Sequence, residues 1–116
     1  MILETPAEHP FAVYVRILGK GKRGARDLTR EEAREAMGML LDGKVEEAQL
    51  GAFLMLLRHK EESAEELAGF TEAVRERVQA PKTAVDLDWP SYAGKKRHLP
   101  WYLLAARCLA ANGVRI

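Results

Sequence analysis

Apolar residues recur along this chain with a helical period over most of its length, and the period lapses after residue 81. Phe11, Tyr14, Val15 and Leu18 fall on one face and predict a first helix over 11–18. Pro10 suits its first turn, where a missing N–H costs nothing. Gly19, Gly21 and Gly24 end it. Thr29 starts a second helix through a capping box: its hydroxyl accepts from the backbone near Glu32, and the Glu32 carboxylate reaches back. Ala33, Ala36, Met37, Leu40 and Leu41 make the inward stripe, and Gly43 closes the helix as a left-handed cap. Ser63 and Glu66 repeat the capping box for a fourth helix, along which Leu67, Phe70, Val74 and Val78 follow a helical repeat. Pro81 forbids its continuation.

The third helix, 46–60, differs from the others. Ala48, Leu50, Ala52, Phe53, Leu54, Met55, Leu56 and Leu57 give it apolar residues on nearly every side. A helix with so wide an apolar surface is expected to be buried from more than one direction. Leu50, Phe53, Leu54 and Leu57 are therefore expected to divide between the bundle core and a dimer seam. Gly51 lets a neighbouring helix come close, and Arg58, His59 and Lys60 complement the negative end of the helix dipole.

Beyond Pro81 the texture changes. Val85 and Leu87 alternate with acids over 84–89, as in a short strand. Pro100 opens a helix carrying Leu103, Leu104, Ala106, Leu109 and Ala110, and Asn112-Gly113 closes it before a second short strand at 114–116. Strand, loop, helix and strand make a βαβ unit. The fold expected is mainly α: a four-helix N-terminal domain at 1–81, followed at 82–116 by the first βαβ piece of an incomplete α/β domain.

Composition narrows the classes. Of 116 residues, 47% are hydrophobic and 30% charged, as in a globular protein, and a net charge of +1 gives no global argument for nucleic acid or membrane. Any such argument rests on local clustering: acids dominate 31–76, while cations collect at 16–26 and 95–97. The single cysteine, Cys108, has no internal partner, which points to a reducing, cytoplasmic setting. Its place in an apolar helical pattern predicts a buried, inert thiol. The N-terminus lacks the pattern of a signal peptide, and the apolar runs are too short to span a bilayer.

The order LTREEAREAMGMLLDGKVEEAQLGAFLMLLRHKEESAEELAGFTEAV, then a strand, a phosphate-type loop and an apolar helix, resembles the anthranilate phosphoribosyltransferase superfamily, glycosyl transferase family 3. The stretch WPSYAGKKRHLPWYLLAARCLAANGVRI is more similar to a divergent TrpD-like branch associated with nucleic-acid binding. The resemblance implies a helical domain packed on an α/β domain, dimerisation through the helices, and an ancestral displacement at the anomeric carbon of a ribose phosphate.

In the superfamily's enzymes, the turn after the first strand of the α/β domain is glycine-rich and cradles a pyrophosphate. At that place this chain has Ser91, Tyr92, Ala93, Gly94, Lys95, Lys96 and Arg97, where only Gly94 remains of the glycines. Three cations on long side chains suit a polyphosphate backbone better than a tight cradle. Tyr92 and Trp101 offer stacking faces, and Ser91 a hydroxyl for a phosphate oxygen. The competing reading is a solvated loop with a turn-forming serine. The same two readings stand for Lys20, Lys22 and Arg23 in the glycine-rich loop GKGKRGAR.

No His, Cys or acidic motif has metal-ligand spacing, and Asp86 and Asp88 are read as solvent-facing strand carboxylates, so neither metal nor cofactor is expected. Three functions follow. One is a phosphoribosyltransferase-like homodimer that has lost catalysis and binds DNA or RNA through basic loops. The second is the front part of an active phosphoribosyltransferase, this chain alone being inactive. The third is a helical dimerisation module.

Overall fold

The computed structural model describes residues 7–79, 82–89 and 99–116. Among them run five helices: α1 (Ala12–Gly19), α2 (Arg30–Leu41), α3 (Glu47–Lys60), α4 (Ala64–Arg75) and α5 (Trp101–Ala111). The first four belong to one compact unit ending at Gln79, and α5 belongs to a second.

Both capping boxes form. Thr29 Oγ1 accepts from the Glu32 N–H at 3.2 Å and Glu32 accepts from the Thr29 N–H at 2.9 Å; Ser63 and Glu66 do the same at 3.2 and 2.8 Å. Gly43 takes φ +68° where α2 turns back, a conformation any side chain would strain. The α4 helix ends at Arg75 with a final turn through Val78; Pro81 lies outside the described residues.

Two helix pairs make the bundle. Between α1 and α3 the contact is built from large side chains. Phe11 and Phe53 are fully buried with ring centroids 5.2 Å apart, edge to face, and Phe11–Tyr14 and Phe53–Phe70 continue the set at 5.6 and 6.3 Å. Such pairs add about 1 kcal/mol each beyond the area they bury. Leu18, Leu28 and Leu57 complete this core. Between α2 and α4 the contact is built from small residues: Ala33, Ala36, Gly38, Gly69 and Ala73 are buried. A methyl placed on Gly69 would overlap the Arg30 carbonyl oxygen and stand 2.8 Å from the Ala33 Cβ, so the two backbones touch.

That choice of seam corrects the apolar pattern read for α2 and α4. Leu41, Leu67, Val74 and Val78 are exposed, and the residues facing the partner helix are the smallest available. Close approach of two helices needs glycine and alanine at the crossing, and it turns the larger side chains outward. Phe53 and Leu57 are sealed, Leu50 and Leu56 are half-buried, and Leu54 and Met55 are exposed, so within this chain the helix is covered along one side.

Glu66 joins the two pairs. It is fully buried, and its carboxylate accepts from the Leu28 N–H at 2.8 Å, the Ser63 N–H at 2.8 Å and Lys60 Nζ at 3.0 Å. A buried carboxylate is tolerable when several donors replace its lost water. One cap residue thus ties the α1–α2 loop, the end of α3 and the start of α4 together. Beside it, Glu61 caps α3 at φ 65°, ψ 148°, a region that residues other than glycine rarely occupy.

The second unit departs from the βαβ expectation. Among the described residues no strand forms. Residues 84–89 and 114–116 meet at one point, where the Asp86 and Leu87 N–H groups both donate to the Arg115 carbonyl at 2.8 and 3.1 Å. The Asp86 carboxylate accepts from the Arg115 N–H at 3.0 Å and from its guanidinium at 2.7 Å. Two such short segments, with no third strand beside them among the described residues, make these few bonds in place of a ladder. The α5 helix has no buried residue, and Cys108 is exposed in it, which corrects the expectation of a buried thiol.

Candidate functional site

The loop between α1 and α2 holds itself in shape with backbone bonds. Gly21 takes φ +86°, the Gly24 and Ala25 N–H groups donate to its carbonyl at 3.2 and 2.9 Å, and the Arg26 N–H donates to the Ile17 carbonyl at 3.3 Å. Arg26 is used structurally: its guanidinium donates to both Glu32 oxygens at 2.7 and 2.8 Å. Those bonds hold the Glu32 carboxyl down at about 2. Lys20, Lys22 and Arg23 are exposed and have no ion-pair partner among the described residues.

Cations elsewhere in the bundle are mostly neutralised. Arg30 pairs with Glu72, Arg34 with Glu76 at 2.6 Å and Glu31 at 2.9 Å, and Arg77 with Asp42 at 2.8 Å. Lys60 is shared by Asp27 at 2.6 Å and Glu66 at 3.0 Å; burial works against its charge, but donation to those carboxylates outweighs it and raises its pKa. Among the described residues of the bundle, exposed cations without an ion-pair partner remain on the α1–α2 loop at Lys20, Lys22 and Arg23, and at Arg58 near the end of α3.

Beside this loop lies a cleft of about 340 Å³, lined by Leu18, Gly19, Gly21, Lys22, Ala25, Leu56, His59 and Lys60. Its floor is apolar, including the methylene stem of Lys60. None of its lining residues is acidic. A second cleft of about 440 Å³ runs between α2 and the end of α4 and is lined by Tyr14, Arg34, Glu35, Asp42, Glu76 and Arg77 among others. There Tyr14 donates to Glu35 at 2.9 Å; burial first, and that carboxylate second, push its pKa to about 12. The charges of the second cleft satisfy one another, so it offers a ligand little that is free.

Of the residues singled out from the sequence, Lys20, Lys22 and Arg23 stand together on the α1–α2 loop. Ser91, Tyr92, Gly94, Lys95, Lys96 and Arg97 lie outside the described residues. Trp101 is exposed as the first residue of α5. Leu50 and Leu54 reach the surface of α3, whereas Phe53 and Leu57 sit in the core. Asp86 is engaged by Arg115, and among the described residues no group of His, Cys, Asp and Glu gathers as a metal site would. Sequence reasoning missed the cleft and its His59, Leu56 and Ala25, because they meet only after α3 packs on α1.

Residues 15–78 match the glycosyl transferase family, helical bundle domain. Among curated proteins, an anthranilate phosphoribosyltransferase of Methylobacterium nodulans is 52% identical over 73 residues, covering 60% of this chain and 21% of that protein. One of Brevibacillus brevis is 54% identical over 53 residues, covering 46% and 16%. An uncharacterized protein of Aquifex aeolicus is 39% identical over 79 residues, covering 66% and 25%. The matched part of the chain thus spans about a quarter or less of the length of these relatives.

Proposed function

Because the chain belongs to the glycosyl transferase family through the helical bundle domain at residues 15–78, we propose that it supplies the helical part of a phosphoribosyltransferase. The observation that carries this reading is where the match stops. The family match ends at residue 78 and the compact helical unit ends at Gln79, so the similarity takes in α2, α3 and α4 whole and α1 from Val15. The reaction class is displacement of pyrophosphate from the anomeric carbon of a phosphoribosyl donor by an aromatic amine or a base. The bundle's share is to shape one wall of the site and to hold a homodimer through the outward residues of α3, Leu50, Leu54 and Met55, with Phe53 and Leu57 bracing them from the core. The setting is the cytoplasm; among the described residues no helix is long and apolar enough to cross a membrane.

A chimera tests this. The 73 aligned residues of the Methylobacterium nodulans enzyme are replaced by those of this chain. Turnover of anthranilate with phosphoribosyl pyrophosphate within about tenfold of the parent is expected. A folded chimera with no turnover overturns the reading.

One observation favours a second reading, a polynucleotide-binding protein without catalysis: Lys20, Lys22 and Arg23 have no acidic partner among the described residues, whereas the other cations of the helical unit are mostly paired. Retention of single-stranded DNA should then fall steeply with salt, with a log–log slope of about −0.7 per phosphate contact. Salt-insensitive retention removes this reading.

A further inference from the structure

We propose that the cleft between the α1–α2 loop and the end of α3 is a binding site for a nucleoside monophosphate, its base on the apolar floor and its phosphate on the cationic rim. The cleft's volume of about 340 Å³ leaves room for one small heterocyclic ligand and lies at the lower end of the range of small-molecule sites.

Four features of the walls select the ligand. Leu18, Ala25, Leu56 and the stem of Lys60 make a floor that suits a flat apolar ring. Gly19 and Gly21 keep one wall low: a methyl on Gly19 would already stand 3.2 Å from Leu56 Cδ1. Lys60 Nζ is committed to Asp27 and Glu66, so it braces the floor and leaves the ligand to others. The groups left at the rim are Lys22 and His59, with Lys20 and Arg23 next to Lys22 in the loop.

The balance of charge points to phosphate. The lining contains no carboxylate, and Lys20, Lys22 and Arg23 have no ion-pair partner among the described residues. A phosphate carries between one and two negative charges at neutral pH, with several acceptor oxygens, and matches more than one cation at once. A neutral ring would use the floor and leave the rim idle; a bare anion would use the rim and leave the floor idle. A nucleotide uses both. The proposal stands on the cleft alone and does not depend on the phosphoribosyltransferase reading.

Titration calorimetry of the full chain at low salt tests it, with adenosine 5′-monophosphate as the probe. Adenosine and ribose 5-phosphate, each lacking one half of the ligand, are expected to bind at least about tenfold more weakly, the size of effect that about 1.4 kcal/mol produces. Ala25→Leu fills the floor from an exposed position and is expected to weaken the nucleotide about tenfold while leaving ribose 5-phosphate unchanged. Lys22→Ala is expected to weaken both phosphates and leave adenosine unchanged. Unchanged circular dichroism of the two variants excludes unfolding as the cause. Absence of nucleotide binding overturns the proposal. Equal binding of nucleotide and ribose 5-phosphate overturns it too, leaving a bare anion surface. A single-stranded decanucleotide that binds more than about a hundredfold tighter than the mononucleotide, and is indifferent to Ala25→Leu, overturns it in favour of the polynucleotide reading.

Discussion

The two seams of the bundle solve the same problem with opposite materials. Between α1 and α3, aromatic and leucine side chains fill the space, and Phe53 lies at the centre of a row of rings. Between α2 and α4, glycine and alanine let the backbones touch, and polar bonds on the surface close over the contact: Arg30 to Glu72, Arg34 to Glu76, Arg77 to Asp42. The first seam tolerates a change of shape at the cost of a cavity. The second has no slack, because its contacts are main chain. Bulk is what a reader of sequence notices, and the tighter seam is made from the residues with least of it.

The largest effect is expected where the aromatic row is broken. Phe53→Ala should cost about 3–5 kcal/mol, read as a lowered urea midpoint with an unchanged slope. Gly69→Ala should cost about 3 kcal/mol, at the upper end for overpacking, since the added methyl meets the Arg30 carbonyl and the α2 backbone must move. A Gly69→Ala protein as stable as its parent would refute close packing of α2 on α4.

Acid should act on the polar side of the comparison. The Glu32 carboxyl is depressed from 4.5 to about 2, with the bond from Arg26 the first cause. Glu72 and Asp42 are lowered by their arginines as well. A carboxylate with a depressed folded-state pKa stabilises the fold above its ordinary value and loses that contribution as pH falls toward the lowered one. The melting temperature is therefore expected to hold down to about pH 5 and to fall between about 4.5 and about 2. Arg26→Ala should flatten that acid limb.

Smaller effects sharpen the contrast. Gly51 sits on the exposed side of α3 with nothing within 4 Å of an added Cβ, so Gly51→Ala should raise stability by about 1 kcal/mol in thermal melts. The same substitution that breaks one seam thus strengthens a helix outside it. Arg34→Ala removes an exposed member of the ion-pair row. It should lower the melting temperature slightly at low salt and not measurably at high salt.

The helices were legible in the sequence because their signals are local. Thr29 with Glu32 and Ser63 with Glu66 announce two starts, and Gly43 announces a stop; all three act as the sequence implies. What the sequence concealed depends on distance along the chain. Arg30 and Glu72 are 42 residues apart, as are Arg34 and Glu76, and nothing near either residue marks its partner. Lys22 and His59 are brought to one cleft only by the packing of α1 on α3. The breadth of apolar surface on α3 was visible, but which part of it this chain covers was settled by the ring of Phe11. The alternating residues 84–89 carry a strand's pattern without, among the described residues, the neighbours that would make one.

Glu61 carries a consequence for any attempt to transplant part of this domain. Its left-handed backbone interrupts α3 with a residue that has no intrinsic reason to stop a helix. At that corner Lys60 Nζ donates to the Glu61 carbonyl at 2.9 Å, and the same ammonium is held by Glu66 of α4 and by Asp27 of the α1–α2 loop. Cut out as a free α3–α4 hairpin, the corner would keep Lys60, Ser63 and Glu66 but lose Asp27 and the Leu28 N–H, so it would travel with only part of its anchoring.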